Sequence, residues 1–449
     1  MNRRRLSSIL SFILTASLCA AAATATRKPN IVLIMADDFG YECVTANGGQ
    51  SYQTPNLDRL AATGMRFEQC HVQPLCTPTR VQLMTGLYNV RNYIEFGAMD
   101  PKATTFAHLL KGAGYKTAVC GKWQIGLEPD SPQKFGFDEA FLWWHTRRAS
   151  RYPNPGFDHN GVTKNFKGAY GPKVANEFVL DFITRHKDTP FLLYYPMMLT
   201  HGPFQPTPDS PEWNPAFGER DGHNVKHFAE MTAYMDKMVG ELVAKLDALG
   251  LRENTLLIFL GDNGTGRDIT SQFNGAPYPG GKGESTARGT HVPLIANWPG
   301  KIAAGKVNGD LIASTDFLPT ICEAAGVTLA KTQALDGHSF LPQLLGRPGQ
   351  PREWAYFWYA PDGGGTPKFE FAMSTEYKRY RDGRSFHLGR DRFEEKPLDV
   401  AKLPANEAAA LQKLQAALDQ YSESRPAHLR QPYVTTKQSK KAEKKKKRK

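Results

Sequence analysis

Cysteine is scarce in this chain of 449 residues, 6 in all, and no two of them stand in a C-x-x-C spacing. That argues against a zinc site built on paired thiolates. Long hydrophobic runs are missing as well. The apolar stretch at 9–19 is too short to span a bilayer, and nothing downstream is long enough to try. Charge of one sign is absent from the body of the chain. Of the formal +12, residues 437–449 carry +8 and Arg3 to Arg5 carry +3, which leaves about +1 for residues 26–436. A near-neutral body gives no electrostatic case for nucleic acid, and the basic stretch at 431–449 reads as a solvated, disordered tail. No internal repeat is apparent.

The chain is 41% hydrophobic, ample for a large core, and its length suits one big domain with a smaller one attached. Residues 1–25 have Arg3-Arg4-Arg5, an apolar stretch and then Ala23-Thr24-Ala25, the pattern of a secretory signal with a small-residue cleavage site. The mature protein is therefore expected in the periplasm or outside the cell. Five cysteines follow the signal: Cys43, Cys70, Cys76, Cys120 and Cys322. An exported protein can pair some of them, and the sequence does not say which.

Apolar strands alternate with helical segments along most of the chain. Residues 30–36 form a continuous apolar run of the kind a buried parallel strand shows, and it ends at Asp37-Asp38. Residues 116–120 lead to Lys122 and Gln124, 190–196 to His201, and 255–260 to Asp262 and Asn263. Helices are expected at 104–111, 173–187, 224–249 and 405–422, and a Gly-, Pro- and aromatic-rich stretch at 143–170 reads as a substrate-facing loop whose Trp143, Trp144, Tyr152 and Phe157 can stack on sugar rings. The expected fold is α/β, a large mixed and mostly parallel sheet flanked by helices over 26–332, with a smaller C-terminal α+β unit over 333–430. Each polar residue at a strand end can be a cap or a turn. Four such sets at one edge of a parallel sheet are how these folds build a site. Asp37, Asp38, Asp262 and Asn263 offer oxygen ligands, which suit a hard cation.

The stretch Cys76-Thr77-Pro78-Thr79-Arg80 adds a reactive sulfur. Pro78 suits the first position of a helix that ends at Gly86, which sets Cys76 just ahead of a helix N-terminus where an anion is favoured, with Arg80 one turn on. A lone free cysteine is more often a small buried hydrophobe, so the motif draws its weight from its surroundings.

Those surroundings resemble the type I sulfatases of the alkaline phosphatase superfamily over most of residues 30–345. The resemblance implies that Cys76 is oxidised by a formylglycine-generating maturation enzyme to formylglycine. It also implies that Ca²⁺, rather than Mg²⁺, is bound by Asp37, Asp38, Asp262, Asn263 and modified Cys76. Arg80, Lys122, His201 and Lys282 match the family's sulfate-binding and proton-transfer residues. In such enzymes one hydroxyl of the hydrated aldehyde attacks sulfur and the other later expels sulfate, which a serine cannot do. The implied substrate is a sulfated carbohydrate. One position departs from the pattern: the family usually reads Gly-Lys-Trp-His, and this chain has Gln124, which can hydrogen-bond the diol or substrate but cannot exchange a proton at neutral pH. A phosphodiester or phosphonate monoester hydrolase of the same superfamily, and a non-catalytic binder of sulfated glycans, are the alternative readings.

Overall fold

A computed structural model describes residues 27–430 apart from 127, 144, 146–148 and 362–366. The expected signal, the basic tail and Trp144 lie outside the described residues. The strands of the main sheet, in chain order, are Asn30–Ala36 (β1), Met65–His71 (β2), Lys116–Lys122 (β3), Glu139–Trp143 (β4), Gly156–His159 (β5), Val162–Asn165 (β6), Phe191–Pro196 (β7), Thr255–Gly261 (β8), Leu294–Asn297 (β9) and Lys306–Ala313 (β10). Their spatial order is β10-β2-β9-β8-β1-β7-β3-β4-β5-β6.

The centre is parallel: β1 pairs with β8 and β7, and β3 pairs with β7 and β4. Strand β9 is antiparallel to both of its neighbours, β8 and β2. The carboxyl ends of β1, β3, β7 and β8 therefore share one edge, as the sequence led us to expect.

Helices cover both faces: Pro55–Ala62 (α1), Cys76–Thr85 (α2), Phe106–Gly112 (α3), Gly171–Arg185 (α4), His227–Ala248 (α5) and Phe317–Ala324 (α6). Val32 and Ile34 of β1 pack with α1, α4 and α5, while Ile31, Leu33 and Met35 pack with α2, α3 and α6. Two buried faces explain why β1 reads as unbroken apolar sequence. Each of its large side chains contributes about 1.5–3 kcal/mol through burial. A second, antiparallel sheet of Ala355–Tyr359 (β11), Phe369–Met373 (β12), Tyr377–Tyr380 (β13) and Ser385–His387 (β14) carries helix Ala405–Tyr421 (α7). Its core takes in Tyr88, Val90 and Leu311 from the main body, so the two sheets are packed together.

Two local expectations are corrected, and the state of the cysteines, left open by the sequence, is given by the structure. Helix α2 starts at Cys76 rather than Pro78, because the first turn of a helix has no intrahelical N–H partners and accepts proline past its first position. Gly86, at φ 68°, ends it as expected, and its N–H closes on the Gln82 carbonyl at 2.8 Å. The 143–170 stretch is not an open aromatic loop. Strands β5 and β6 form an antiparallel hairpin that extends the sheet from β4, and Trp143, Tyr152 and Phe157 are at most 1% exposed, so they pack inside and cannot stack on a sugar. Cys43, Cys70, Cys76, Cys120 and Cys322 are all buried and none is paired.

Candidate active site

Each strand end delivers its side chains to one buried cluster. Asp37 follows β1 and is held from both sides: Lys122 Nζ donates to its Oδ1 at 2.8 Å and Arg151 Nη1 to its Oδ2 at 3.2 Å. Asp38, at φ 58°, turns the chain so that its carboxylate accepts from Lys282 Nζ at 2.7 Å and Asn263 Nδ2 at 2.8 Å. Its backbone N–H donates to Asp262 Oδ1 at 3.0 Å, which ties the end of β1 to the end of β8. Arg80, one turn into α2, donates to Asp262 Oδ2 at 3.0 Å and to the Lys122 carbonyl at 2.7 Å. Three carboxylates and four cations thus meet at one sheet edge.

Electrostatics follow from that packing. Burial alone would raise the Asp37 carboxyl, but Lys122, His201, Arg151 and Lys282 hold it well below the usual range. Asp38 is likewise lowered against its burial, chiefly by Lys282. Asp262 goes the other way, pushed up to about 6 by burial and by Asp37 in spite of Arg80. Burial and Arg151 depress His201 to about 3. Its Nδ1 faces the Gly202 carbonyl at 2.6 Å; a carbonyl only accepts, so the proton sits on Nδ1 and Nε2 points free toward Asp38 Oδ2 at 3.7 Å.

Cys76 lies at the first position of α2, 1% exposed, in the field of Lys122, Asp262, Lys282 and Asp37. Burial pushes its thiol up, so as a plain thiol it is a poor nucleophile. Gln124, at φ 61°, is buried just beyond β3, and its carbonyl accepts from Thr77 Oγ1 at 3.1 Å, beside Cys76. Its amide oxygen is buried without a donor. All ten residues singled out in the sequence are therefore brought to the same edge of the sheet.

The donor set fits a hard cation. Oxygen or nitrogen atoms of Asp37, Asp38 and His201 lie within 4.8 Å of one another. Asp262 joins through Asp38, and Asn263 Oδ1 is buried with no hydrogen-bond partner. An orphaned carbonyl oxygen among converging carboxylates is chemistry that Ca²⁺ or Mg²⁺ satisfies.

Arg151 was not singled out in the sequence. It is 2% exposed, with its guanidinium 4.2 Å above the Trp143 ring and its Nη1 on Asp37. It stands in an irregular stretch between β4 and β5, where no periodicity marks it; the nearby tryptophan was its one signal. Arg151→Met should destabilise the protein by about 3 kcal/mol, because it takes one cation from a buried carboxylate. Denaturant unfolding checks this, and an unchanged midpoint contradicts it.

A parallel-sheet edge that crowds carboxylates, lysines and a helix-terminal cysteine together is the arrangement of a hydrolase for anionic esters. Residues 29–327 match the Sulfatase family, and residues 286–388 match the family described as N-sulphoglucosamine sulphohydrolase, C-terminal. Arylsulfatase A of Homo sapiens is 34% identical over 76% of this chain and 72% of its own length. N-acetylgalactosamine-6-sulfatase of Mus musculus is 30% identical over 77% and 72%. The crystal structure of Ps i-CgsB superposes with a TM-score of 0.76 at 25% identity, covering 92% of this chain and 96% of that one. The chain belongs to the sulfatase family of the alkaline phosphatase superfamily, and it is a sulfuric ester hydrolase. Among the described residues no helix is long and apolar enough to cross a membrane.

Proposed function

We propose that the protein hydrolyses sulfate esters of a sulfated carbohydrate, with Cys76, oxidised to formylglycine by a maturation enzyme, as its nucleophile and with Ca²⁺ bound by Asp37, Asp38, Asp262, Asn263 and modified Cys76. The observation that carries this reading is the position of Cys76: a buried, unactivated sulfur at a helix N-terminus, facing Lys122 and Lys282. The hydrated aldehyde supplies a hydroxyl that attacks sulfur and a second one that later expels sulfate, and the cation supplies positive charge beside them. The carbohydrate follows from the name of one relative, N-acetylgalactosamine-6-sulfatase. The signal-like pattern at 1–25 supports a periplasmic or secreted location.

The chain's own residues do the rest. Lys122 and Lys282 present ammonium groups where charge develops on the sulfuryl oxygens. Arg80 fixes the Lys122 carbonyl and Asp262 in one grip, so the first turn of α2 and the ends of β3 and β8 move as a unit. His201 offers Nε2 toward the leaving oxygen, and an anionic substrate beside it favours its protonated form. Gln124 contacts the substrate with its buried amide. Gln124→His should therefore raise KM about tenfold and leave any burst of alcohol release unchanged. A faster second step with unchanged KM in pre-steady-state kinetics would assign position 124 to proton relay instead.

Turnover of 4-nitrophenyl sulfate against 4-nitrophenyl phosphate esters, followed by a panel of sulfated oligosaccharides, tests the reading. Sulfate esters should be preferred and a sulfated sugar turned over; activity confined to phosphate esters contradicts the sulfatase reading, and activity confined to small aryl sulfates contradicts the carbohydrate.

A further inference from the structure

A cleft of about 570 Å³ opens between the 283–286 loop and the edge of the small sheet, at Phe369, Tyr380 and their neighbours. It adjoins the site just described. Gly283, on its wall, donates its N–H to the Pro74 carbonyl at 2.8 Å, two residues before Cys76, and directly follows Lys282. Arg267, on the same wall, donates Nε to the Lys282 carbonyl at 2.9 Å. A ligand reaching past Lys282 therefore enters this cleft.

Its lining has four cations, Arg267, Lys368, Arg381 and Arg384, and three carboxylates, Glu284, Glu370 and Asp382. The carboxylates already have partners. Glu370 and Asp382 are paired with Arg381 at 2.7 Å and Arg384 at 2.9 Å, and Glu284 stands 3.8 Å from Arg267. Arg381 is spent, since it also bonds Asp419 and the Leu418 carbonyl. The other cations keep donors for a ligand. Lys368 is exposed and has no ion-pair partner among the described residues, and Arg384, whose Nε and Nη2 hold Asp382, lies with its guanidinium 4.4 Å from the Tyr380 ring and keeps Nη1 for a ligand. Arg267 is exposed, and its pairing with Glu284 is long.

We infer that this cleft is a subsite for a second anionic group, a sulfate or a uronic carboxylate, on the sugar next to the one whose ester is cleaved. Its binding groups are Arg267, Lys368 and Arg384. The inference rests on the sulfatase reading and narrows it: the preferred substrate is an oligosaccharide with more than one negative charge. Exposed cations of this kind steer and select an anionic partner while taking no part in the chemistry.

The test compares the wild type with a Lys368→Ala/Arg384→Ala double variant, neither residue being part of the site around Cys76. Hydrolysis of 4-nitrophenyl sulfate is measured with a chondroitin 6-sulfate hexasaccharide, inorganic sulfate or neutral dextran as inhibitor, and hexasaccharide binding is measured directly by calorimetry. The hexasaccharide should bind the wild type about tenfold more tightly than the variant. Hydrolysis of the aryl ester and inhibition by inorganic sulfate should be equal in the two proteins, and dextran should do nothing. Equal binding of the hexasaccharide to both proteins, or none to the wild type, overturns the subsite. A wild type that binds the hexasaccharide but releases sulfate neither from it nor from the aryl ester overturns the sulfatase reading instead, so the two failures are distinct.

Discussion

Cys76→Ala is expected to lower kcat/KM for an aryl sulfate by on the order of 10⁴–10⁶, the range seen when a covalent nucleophile is removed. The protein should remain folded. Cys76 is buried at the start of α2, and loss of one sulfur atom there costs about 1 kcal/mol, far less than the catalytic effect. Cys76→Ser separates attack from release. A serine hydroxyl can take the sulfuryl group but has no second oxygen to expel it, so this variant should give at most one equivalent of alcohol and then stop. Steady-state assays of the alanine variant and a burst experiment on the serine variant check both statements. An alanine variant that keeps more than a hundredth of the activity contradicts the assigned nucleophile.

Metal removal is the second large effect. Asp262 is pushed up to about 6 by burial and by Asp37, and Asn263 Oδ1 is buried without a partner, so the site is strained by its own charge and its own unmet acceptor. A divalent cation relieves both. At free Ca²⁺ between 100 and 1,000 times Kd, binding to the native state alone is worth about 2.7–4.1 kcal/mol. Chelation should therefore lower the melting temperature by about 5 °C and abolish turnover, with recovery on adding Ca²⁺. Calorimetric melting with and without chelator, paired with elemental analysis of the purified protein, is the check. An unchanged melting temperature and activity, with no Ca²⁺ or Mg²⁺ present, contradicts the metal assignment.

How much of this was legible in the sequence differs from element to element. Strands β1 and β8 announced themselves because strands buried on both faces leave no room for polar alternation, and Asp37, Asp38, Asp262 and Asn263 come directly after them. Strand direction was less visible. The antiparallel placement of β9 between β8 and β2 depends on long connections that local pattern does not encode. The stretch at 143–170 misled for a clear reason. Its glycines and prolines mark the turns around the β5–β6 hairpin, while its aromatics pack beneath that hairpin and against Arg151. Composition reports that aromatics are present and is silent on the side they face. Arg151 itself has no local signature; only the fold brings it to Asp37, 114 residues away in the chain.

The central claim is the oxidation of Cys76, and mass spectrometry of the tryptic peptide from Phe67 to Arg80 tests it most directly. That peptide also holds Cys70, which is buried away from the site and serves as an internal control. After unfolding and alkylation, the account predicts one alkylated cysteine, at position 70, and at position 76 the mass of an aldehyde, which hydrazine reagents then label. Two alkylated cysteines in a fully active preparation would contradict it.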